Sequence, residues 1–298
     1  MHPSLETVDH RPWPLPEGRW NLRQQWLDLL FAHWPIDAAE LKPLVPEGVE
    51  IEEYGGTSWL GIVPFRMAGV MFRGLPDLPG LSAFPELNVR LYVRHGGRSG
   101  VWFLSLDAPN LAAVLAARFR YGLPYHWSKV VHRSHDAAGA AYPFEMTAEC
   151  GRARPALSFR AGYGPAGEVF RARPGSLEHF LTERYCLFTR GRGGKILRVD
   201  VHHEPWPLQA GRAELDAGDL VKPFGLSLPD TAPHLLFSSG VRVVSWPARD
   251  VRRELELVAG GSGLRPALGM DVPSVVPYGF PGGTAAGCSA HGAAMKNS

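Results

Sequence analysis

The stretch Leu81–Asp107, LSAFPELNVRLYVRHGGRSGVWFLSLD, decides how the rest of the chain is read. Two runs of alternating residues flank Gly96, Gly97, Arg98 and Ser99, the composition of a tight β-hairpin turn. One face of the hairpin holds Leu87, Val89, Leu91, Val93, Trp102, Leu104 and Leu106 without interruption. With Gly97-Arg98 as a two-residue loop, or 96–99 as a four-residue loop, Arg90 lies opposite Ser105 and Asn88 opposite Asp107. A one-residue slip would pair Arg90 with Leu104 and mix the faces, so the even register is expected. The second face then gathers Glu86, Asn88, Arg90, Ser105 and Asp107, a carboxylate–amide–guanidinium cluster. Two readings stand for it: a solvated outer face, since antiparallel sheets often wet one side, or the lining of a cavity.

Composition narrows the classes. The chain has 298 residues, is 45% hydrophobic and carries a formal net charge of +2. That suits a packed globular body and gives no concentrated basic surface for nucleic acid. The short runs around Arg152–Arg154 and Arg190–Arg192 read as solvated loops. Only five lysines occur, Lys42, Lys129, Lys195, Lys222 and Lys296, so amine-based covalent chemistry has few candidates. Cys150, Cys186 and Cys288 are odd in number and far apart, which fits a reducing cytosol rather than a disulfide framework. No leader-like apolar run follows a basic stretch, and no segment approaches the length of a membrane span.

Residues 1–19 are polar and Pro-rich and read as an extended arm. Residues 20–248 form a single domain, and 249–298, rich in Gly, Ala and Pro, read as a flexible tail. Short strand-like runs dominate the body: 22–33, 48–54, 57–67, 86–95, 100–107, 143–150, 155–162, 166–171, 195–203, 211–216, 234–238 and 240–246, the last pair divided by the hairpin signal Ser238-Ser239-Gly240. Three short helices are expected. One follows Asp37, with Glu40 as its capping-box partner. A second follows Asn110, with Leu111, Val114, Leu115 and Phe119 inward and Gly122 at its end. A third follows Ser176. Many strands and few helices predict a mainly β protein of α+β type, an antiparallel barrel or sandwich, and a barrel can hold a small ligand inside.

Most motifs of known chemistry are missing. There is no phosphate loop, no H-E-x-x-H, no C-x-x-C and no G-x-S-x-G elbow. The histidines at 126, 132, 135, 202 and 203 match no standard metal spacing, so no metal is expected. Arg184, in Thr182-Glu183-Arg184-Tyr185, is either a helix-terminal ion pair or a ligand contact. Arg66 sits inside the apolar run Val63–Met67, where an arginine is costly unless paired; Glu86 or Asp107 are the expected partners.

The segments FAHWPIDAAELKPLVPEGVEIEEYGGTSWLGIVPFRM (31–67), FPELNVRLYV (84–93), WFLSLDA (102–108), LTERYCLF (181–188) and HHEPWPL (202–208) follow one another in an order that resembles the YqjF-like family, placed in the acetoacetate decarboxylase-like superfamily. The resemblance spans roughly residues 20–247. It implies an antiparallel, β-barrel-like system around a small-molecule cavity, but no assigned activity. The decarboxylases of that superfamily form a Schiff base on a lysine whose pKa a neighbouring lysine lowers, with a glutamate nearby. Glu86 resembles that glutamate. The Pro-Lys-Lys segment is matched by Pro124-Tyr125-His126, with both lysines absent and Lys129 three residues later. The nucleophile of the iminium route is therefore lacking, while Tyr125 and His126 remain able to exchange protons. The expectation is a cytosolic protein with a pocket for a small carboxylate- or carbonyl-containing molecule. Glu86, Tyr125 and His126 would be its acid/base groups, and Arg66, Asn88, Arg90, Asp107 and Arg184 its binding groups. No cofactor, nucleic acid or membrane partner is implied, and the oligomeric state is left open. The chemistry would be lyase- or isomerase-like; the alternative is a sensor or carrier that binds without reacting.

Overall fold

The computed structural model describes residues 2–75, 82–135, 140–153 and 155–251, all within one unit spanning 1–259. Its first long strand, β1, is Leu22–Ile36; the short strands β2 (Glu50–Ile51) and β3 (Glu53–Tyr54) precede β4 (Thr57–Phe72). The hairpin is β5 (Phe84–His95) and β6 (Arg98–Ala108). Then come β7 (Tyr125–Trp127), β8 (Lys129–Ser134), β9 (Phe144–Cys150) and β10 (Leu157–Phe170). The chain continues through β11 (Cys186–Arg190), β12 (Ile196–His203), β13 (Leu208–Asp216), β14 (His234–Ser245) and β15 (Arg249–Asp250). Three helices interrupt them: α1 (Ala38–Leu41), α2 (Leu111–Tyr121) and α3 (Leu177–Thr182). The fold is mainly β with a few short helices, and nearly all strand pairs are antiparallel.

Among the described residues the pairings run β12–β11–β6–β5–β4–β1–β14 and return to β12, so the ladder closes on itself. From β14 the sheet continues outward through β13, β10, β9 and β8. This extension folds over the outer side of the closed circuit. Met146, Ala148, Phe159 and Tyr163 from it share one core with Leu60, Ile62, Leu87, Val89 and Leu91. A second core fills the inner side, with Leu29, Phe31, Val63, Phe65, Leu106, Val201 and Trp206. Strands β1, β4 and β5 are therefore covered on both faces, and the solvated reading of the hairpin's polar face does not hold: Glu86 is 1% and Asn88 4% exposed.

The hairpin's register differs from the expected one. Gly96 and Gly97, both at positive φ (56° and 73°), make the two-residue turn, the pair of left-handed residues a type I′ hairpin demands. His95 faces Arg98, and a bulge between Val89 and Arg90 then leaves Leu104 as the extra residue of β6. Asn88 lies opposite Leu106, and Leu87 opposite Asp107. Ser105 and Asp107 thus turn to the apolar face, and Leu106 joins the polar one.

Two pairs of expected strands merge into single ones. The runs at 155–162 and 166–171 fall on the continuous β10 (Leu157–Phe170), and those at 234–238 and 240–246 fall on β14 (His234–Ser245), where a hairpin was expected. Gly240 does not turn the chain; its φ of 136° and the 2.3 Å a Cβ would leave to the Trp26 carbonyl show that it lets β14 pass close to β1. The caps at Asp37, Asn110 and Ser176 form as expected, each side chain accepting a backbone N–H. Helix α2 is rotated from its expected setting: Val114 is buried, but Leu111, Leu115 and Phe119 are exposed. The N-terminal arm is docked rather than extended. Residues Pro3–Glu6 form a 3-10 turn, Ser4 is buried, and Arg11 donates to the Val201 carbonyl at 2.7 Å. Arg249–Asp250 pair with β12 and so belong to the sheet, and Val251 is buried; the expected tail from 252 on, with Cys288, His291 and Lys296, lies outside the described residues. No described helix is long and apolar enough to cross a membrane.

Candidate functional site

Alternation along β5 places Glu86, Asn88 and Arg90 on the inner face of the closed circuit. There they line a cavity of about 180 Å³. The opposing walls are apolar: Trp26 and Phe31 of β1, Val63 and Phe65 of β4, Leu106 of β6, and Trp206 after β12. Helix α2 closes one side with Ala113, Ala117 and Tyr121. Tyr125 enters from β7, which pairs in parallel with β6 and sets its residue 125 level with Leu106.

The polar groups form a connected row. Tyr125 Oη donates to Glu86 Oε2 at 2.7 Å, and Asn88 Nδ2 stands 3.5 Å from Glu86 Oε1. Oδ1 of Asn88 is buried without a partner. Burial pushes the Glu86 carboxyl up to about 7, against the pull of the Tyr125 and Asn88 hydrogen bonds, and no cation contributes to holding it ionised. The Tyr125 phenol is raised well above its usual range, first by burial and then by Glu86. This pair can hold or give up one proton near neutral pH, a property suited to general acid/base work.

Arg90 is arranged differently. Its Nε and Nη2 donate to Tyr92 Oη at 3.2 and 3.1 Å, and Nη2 also donates to the Leu181 carbonyl at 3.0 Å. Tyr92 Oη in turn meets His33 Nε2 at 2.5 Å. Burial and the nearby guanidinium hold His33 well below its ordinary pKa, so its ring is neutral; since Tyr92 Oη already accepts twice from Arg90, its own proton goes to Nε2. Gly61 makes the crossing possible: a Cβ there would come within 3.1 to 3.3 Å of His33 and Arg90. Among the described residues no carboxylate pairs with Arg90, and its Nη1 group carries no hydrogen bond within the protein. Its charge faces the Phe31 ring at 5.3 Å.

The other expected site residues lie elsewhere. Asp107, fully buried on the opposite face, pairs with Arg152 and accepts from Ser128 Oγ at 2.7 Å. Arg152 is thereby a buried strut, not a solvated loop residue; it also donates to the Leu220 carbonyl at 2.9 Å. His126, next to Tyr125 on a strand, points away from the cavity; burial lowers its pKa while Asp107 opposes the change. Arg66 pairs with neither Glu86 nor Asp107. Its partner is Asp28, at 3.1 Å, in a bulge of β1 where Asp28 takes a left-handed φ of 55°. Arg184 pairs with Glu52, which also holds Arg94 and Ser99. Lys129 is 70% exposed and bound to Glu149, and among the described residues no lysine lines the cavity. Among the described residues no three His, Cys, Asp or Glu side chains converge as a metal site would need. Tyr92 and His33 were not expected; continuing the alternation of 86, 88 and 90 by one step finds the first of them.

The fold and this inner cavity define the class: an acetoacetate decarboxylase-like fold. The chain is similar to the enduracididine biosynthesis enzyme MppR in complex with pyruvate, with a TM-score of 0.56 and 14% identity over 81% of this chain and 92% of that one. It is also similar to an acetoacetate decarboxylase-like enzyme from Sphingomonas wittichii RW1, with a TM-score of 0.52 and 16% identity over 82% and 98% of the two chains. At the level of sequence, the chain belongs to the DUF2071 family of uncharacterized conserved proteins, matched over residues 23–242. It is 39% identical over 236 residues to the uncharacterized protein YqjF of Bacillus subtilis (strain 168), covering 79% of this chain and 94% of that one.

Proposed function

We propose that this protein binds a small carboxylate- or carbonyl-containing molecule in the cavity along β5, and that Glu86 and Tyr125 exchange a proton with it. In this reading the closed circuit of strands is a barrel-like enclosure. Arg90 Nη1 takes the carboxylate, Asn88 Oδ1 accepts from a hydroxyl or enol, and Glu86 removes or returns a proton next to the carbonyl. The chemistry is of lyase or isomerase type and proceeds without a Schiff base, since among the described residues no lysine lines the cavity. One observation carries the reading: a guanidinium without a carboxylate partner shares a largely apolar cavity with a carboxyl group whose pKa is about 7. The pyruvate held by MppR is of the same chemical class. The free, buried thiols of Cys150 and Cys186 suit a reducing cytoplasm.

The test is thermal stabilisation by a panel of oxo and hydroxy acids, followed by proton exchange of the bound acids in D2O. An acid present at about 100 times its Kd adds roughly 2.7 kcal/mol, a rise of roughly 5–10 °C for a domain of this size. Arg90→Gln is expected to abolish the rise. Glu86→Gln is expected to keep the rise and lose the exchange. If no acid shifts the wild type, or Arg90→Gln shifts equally, the reading is wrong. The absence of a cavity lysine among the described residues also favours a second reading, a sensor or carrier that binds without reacting; exchange or turnover of any bound acid excludes it.

A further inference from the structure

The strand register orders the cavity from a charged end to an apolar end. Along β5 the rungs against β4 are Arg90 with Gly61, Asn88 with Val63, Glu86 with Phe65 and Phe84 with Met67. Beyond Met67 the lining is mostly apolar, with Val70 and Phe72 of β4 and Leu22 of β1 under Ala113 and Ala117 of α2, and Gln24, Ser245 and Tyr121 as its polar members. Arg90 and Glu86 are four residues apart, about 13 Å between Cα atoms at the usual strand rise. The bonds from Arg90 to Tyr92 and to the Leu181 carbonyl draw its guanidinium away from Glu86 rather than toward it.

A three- or four-carbon acid seated on Arg90 would leave the Phe84 end empty, and an empty apolar space forfeits contacts on every side. The volume sets the scale. An apolar cavity of about 150 Å³ accepts benzene, and this one measures about 180 Å³. It is below the roughly 300–1,000 Å³ of sites for drug-sized ligands. Resting on the binding reading above, we infer that the ligand is an elongated acid with one benzene-sized apolar body, aryl or branched alkyl. Its carboxylate lies at Arg90, and its body lies past Glu86 against Phe84, Met67 and the alanines of α2.

Three inert probes on the full chain test this by calorimetry: 6-phenylhexanoate, hexanoate and 6-phenylhexanol, whose chains are long enough to carry a ring from Arg90 past Glu86. Burying the ring is expected to make 6-phenylhexanoate bind about 10- to 100-fold tighter than hexanoate. Ala117→Leu fills the apolar end from a helix position that makes no polar contact with the cavity. It is expected to weaken 6-phenylhexanoate at least about 10-fold and leave hexanoate unchanged. Ala113→Leu serves the same purpose if the first variant folds poorly. Equal affinities for the two acids, or insensitivity of 6-phenylhexanoate to both leucine variants, overturns the inference while leaving acid binding intact. Binding of 6-phenylhexanol as tight as that of the acid, or binding unaffected by Arg90→Gln, overturns the carboxylate site itself.

Discussion

Replacing Glu86 by glutamine separates the cost of burying this acid from everything else in the fold. The carboxyl is 1% exposed, and burial lifts it from an ordinary 4.5 to about 7. Below pH 4.5 the group is protonated in both the folded and unfolded chain. Between 4.5 and about 7 the unfolded chain releases the proton while the folded chain keeps it, so stability falls as pH rises and levels off above 7. At about 1.4 kcal/mol per pH unit the gap is worth about 3 kcal/mol. Glutamine carries no such charge. Its carbonyl accepts from Tyr125 as Oε2 does, and its amide meets Oδ1 of Asn88, now without a partner, once the Asn88 amide turns over. Urea unfolding of both proteins from pH 4.5 to 8, with m held constant, gives the difference in stability. Histidine titrations common to both proteins cancel in that difference. Relative to wild type, Glu86→Gln is expected to gain about 3 kcal/mol across the range. A difference constant to within about 0.5 kcal/mol from pH 4.5 to 8 would refute the raised pKa, and with it the case for Glu86 as a proton carrier.

Borohydride reduction in the presence of oxo acids should leave Lys129 unmodified by mass spectrometry, because its amine is 70% exposed, paired with Glu149 and outside the cavity lining; a reduced adduct there would restore an iminium route. Asp107→Asn should cost about 3–5 kcal/mol in urea unfolding, since it leaves the Arg152 guanidinium buried without its counter-charge; a loss below about 1 kcal/mol would show the pair to be incidental. Acid should loosen the N-terminal arm. His202 Nδ1 accepts from Arg11 and Nε2 donates to the Ser4 carbonyl, an arrangement that needs a neutral ring. Burial lowers His202 from 6.5 to about 4, so its contribution is complete above 6.5 and is lost as pH falls toward 4. Hydrogen exchange of residues 3–14 should accelerate over that interval relative to β5, and equal protection at pH 4 and 7 would contradict it.

What could be read from the residues follows from what is local. The alternation of Glu86, Asn88 and Arg90 against Leu87, Val89 and Leu91 identifies a strand with two distinct faces. The caps at Asp37, Asn110 and Ser176 announce helices whatever surrounds them. The place of Asp107 was not legible in the same way. It depends on which pair of residues adopts the left-handed turn, Gly96-Gly97 or Gly97-Arg98, and on a bulge at Leu104 that no residue type signals. Moving the turn by one position changes the pairing by two residues and keeps the faces; the bulge changes it by one, and one residue exchanges the faces of a strand. The partner of Arg66 was hidden for a related reason: Asp28 reaches it only through a bulge in β1. Helix α2 misled because Leu111, Leu115 and Phe119 form the apolar stripe a buried helix should have, while the cavity instead takes the small alanines that leave it room. The separation of Tyr125 from His126 was available in principle, since neighbours on a strand face opposite ways.

The two ends of the polar row depend on being kept apart. Glu86 and Arg90 sit on the same face of one strand, two rungs apart, and a free arginine side chain is long and mobile enough to seek a carboxylate nearby. Were they to meet, Arg90 would pull the Glu86 pKa down and hold it ionised; the proton carrier and the anion site proposed above would then be lost together. Tyr92, the Leu181 carbonyl and the Phe31 ring bind the guanidinium on its far side. His33, neutral because it is buried beside that charge, accepts the Tyr92 proton and so turns the phenol oxygen's lone pairs toward Arg90. With this tether in place Glu86 is left among apolar walls, where burial, against the hydrogen bonds of Tyr125 and Asn88 and with a smaller push from Asp107, raises its pKa to about 7. On the proposed reading, a ligand carboxylate at Nη1 would add a negative charge to the same cavity, raise Glu86 further and favour its protonated form in the complex. Filling the proposed anion site would then prepare the acid through the spacing of residues 86 and 90 on one strand.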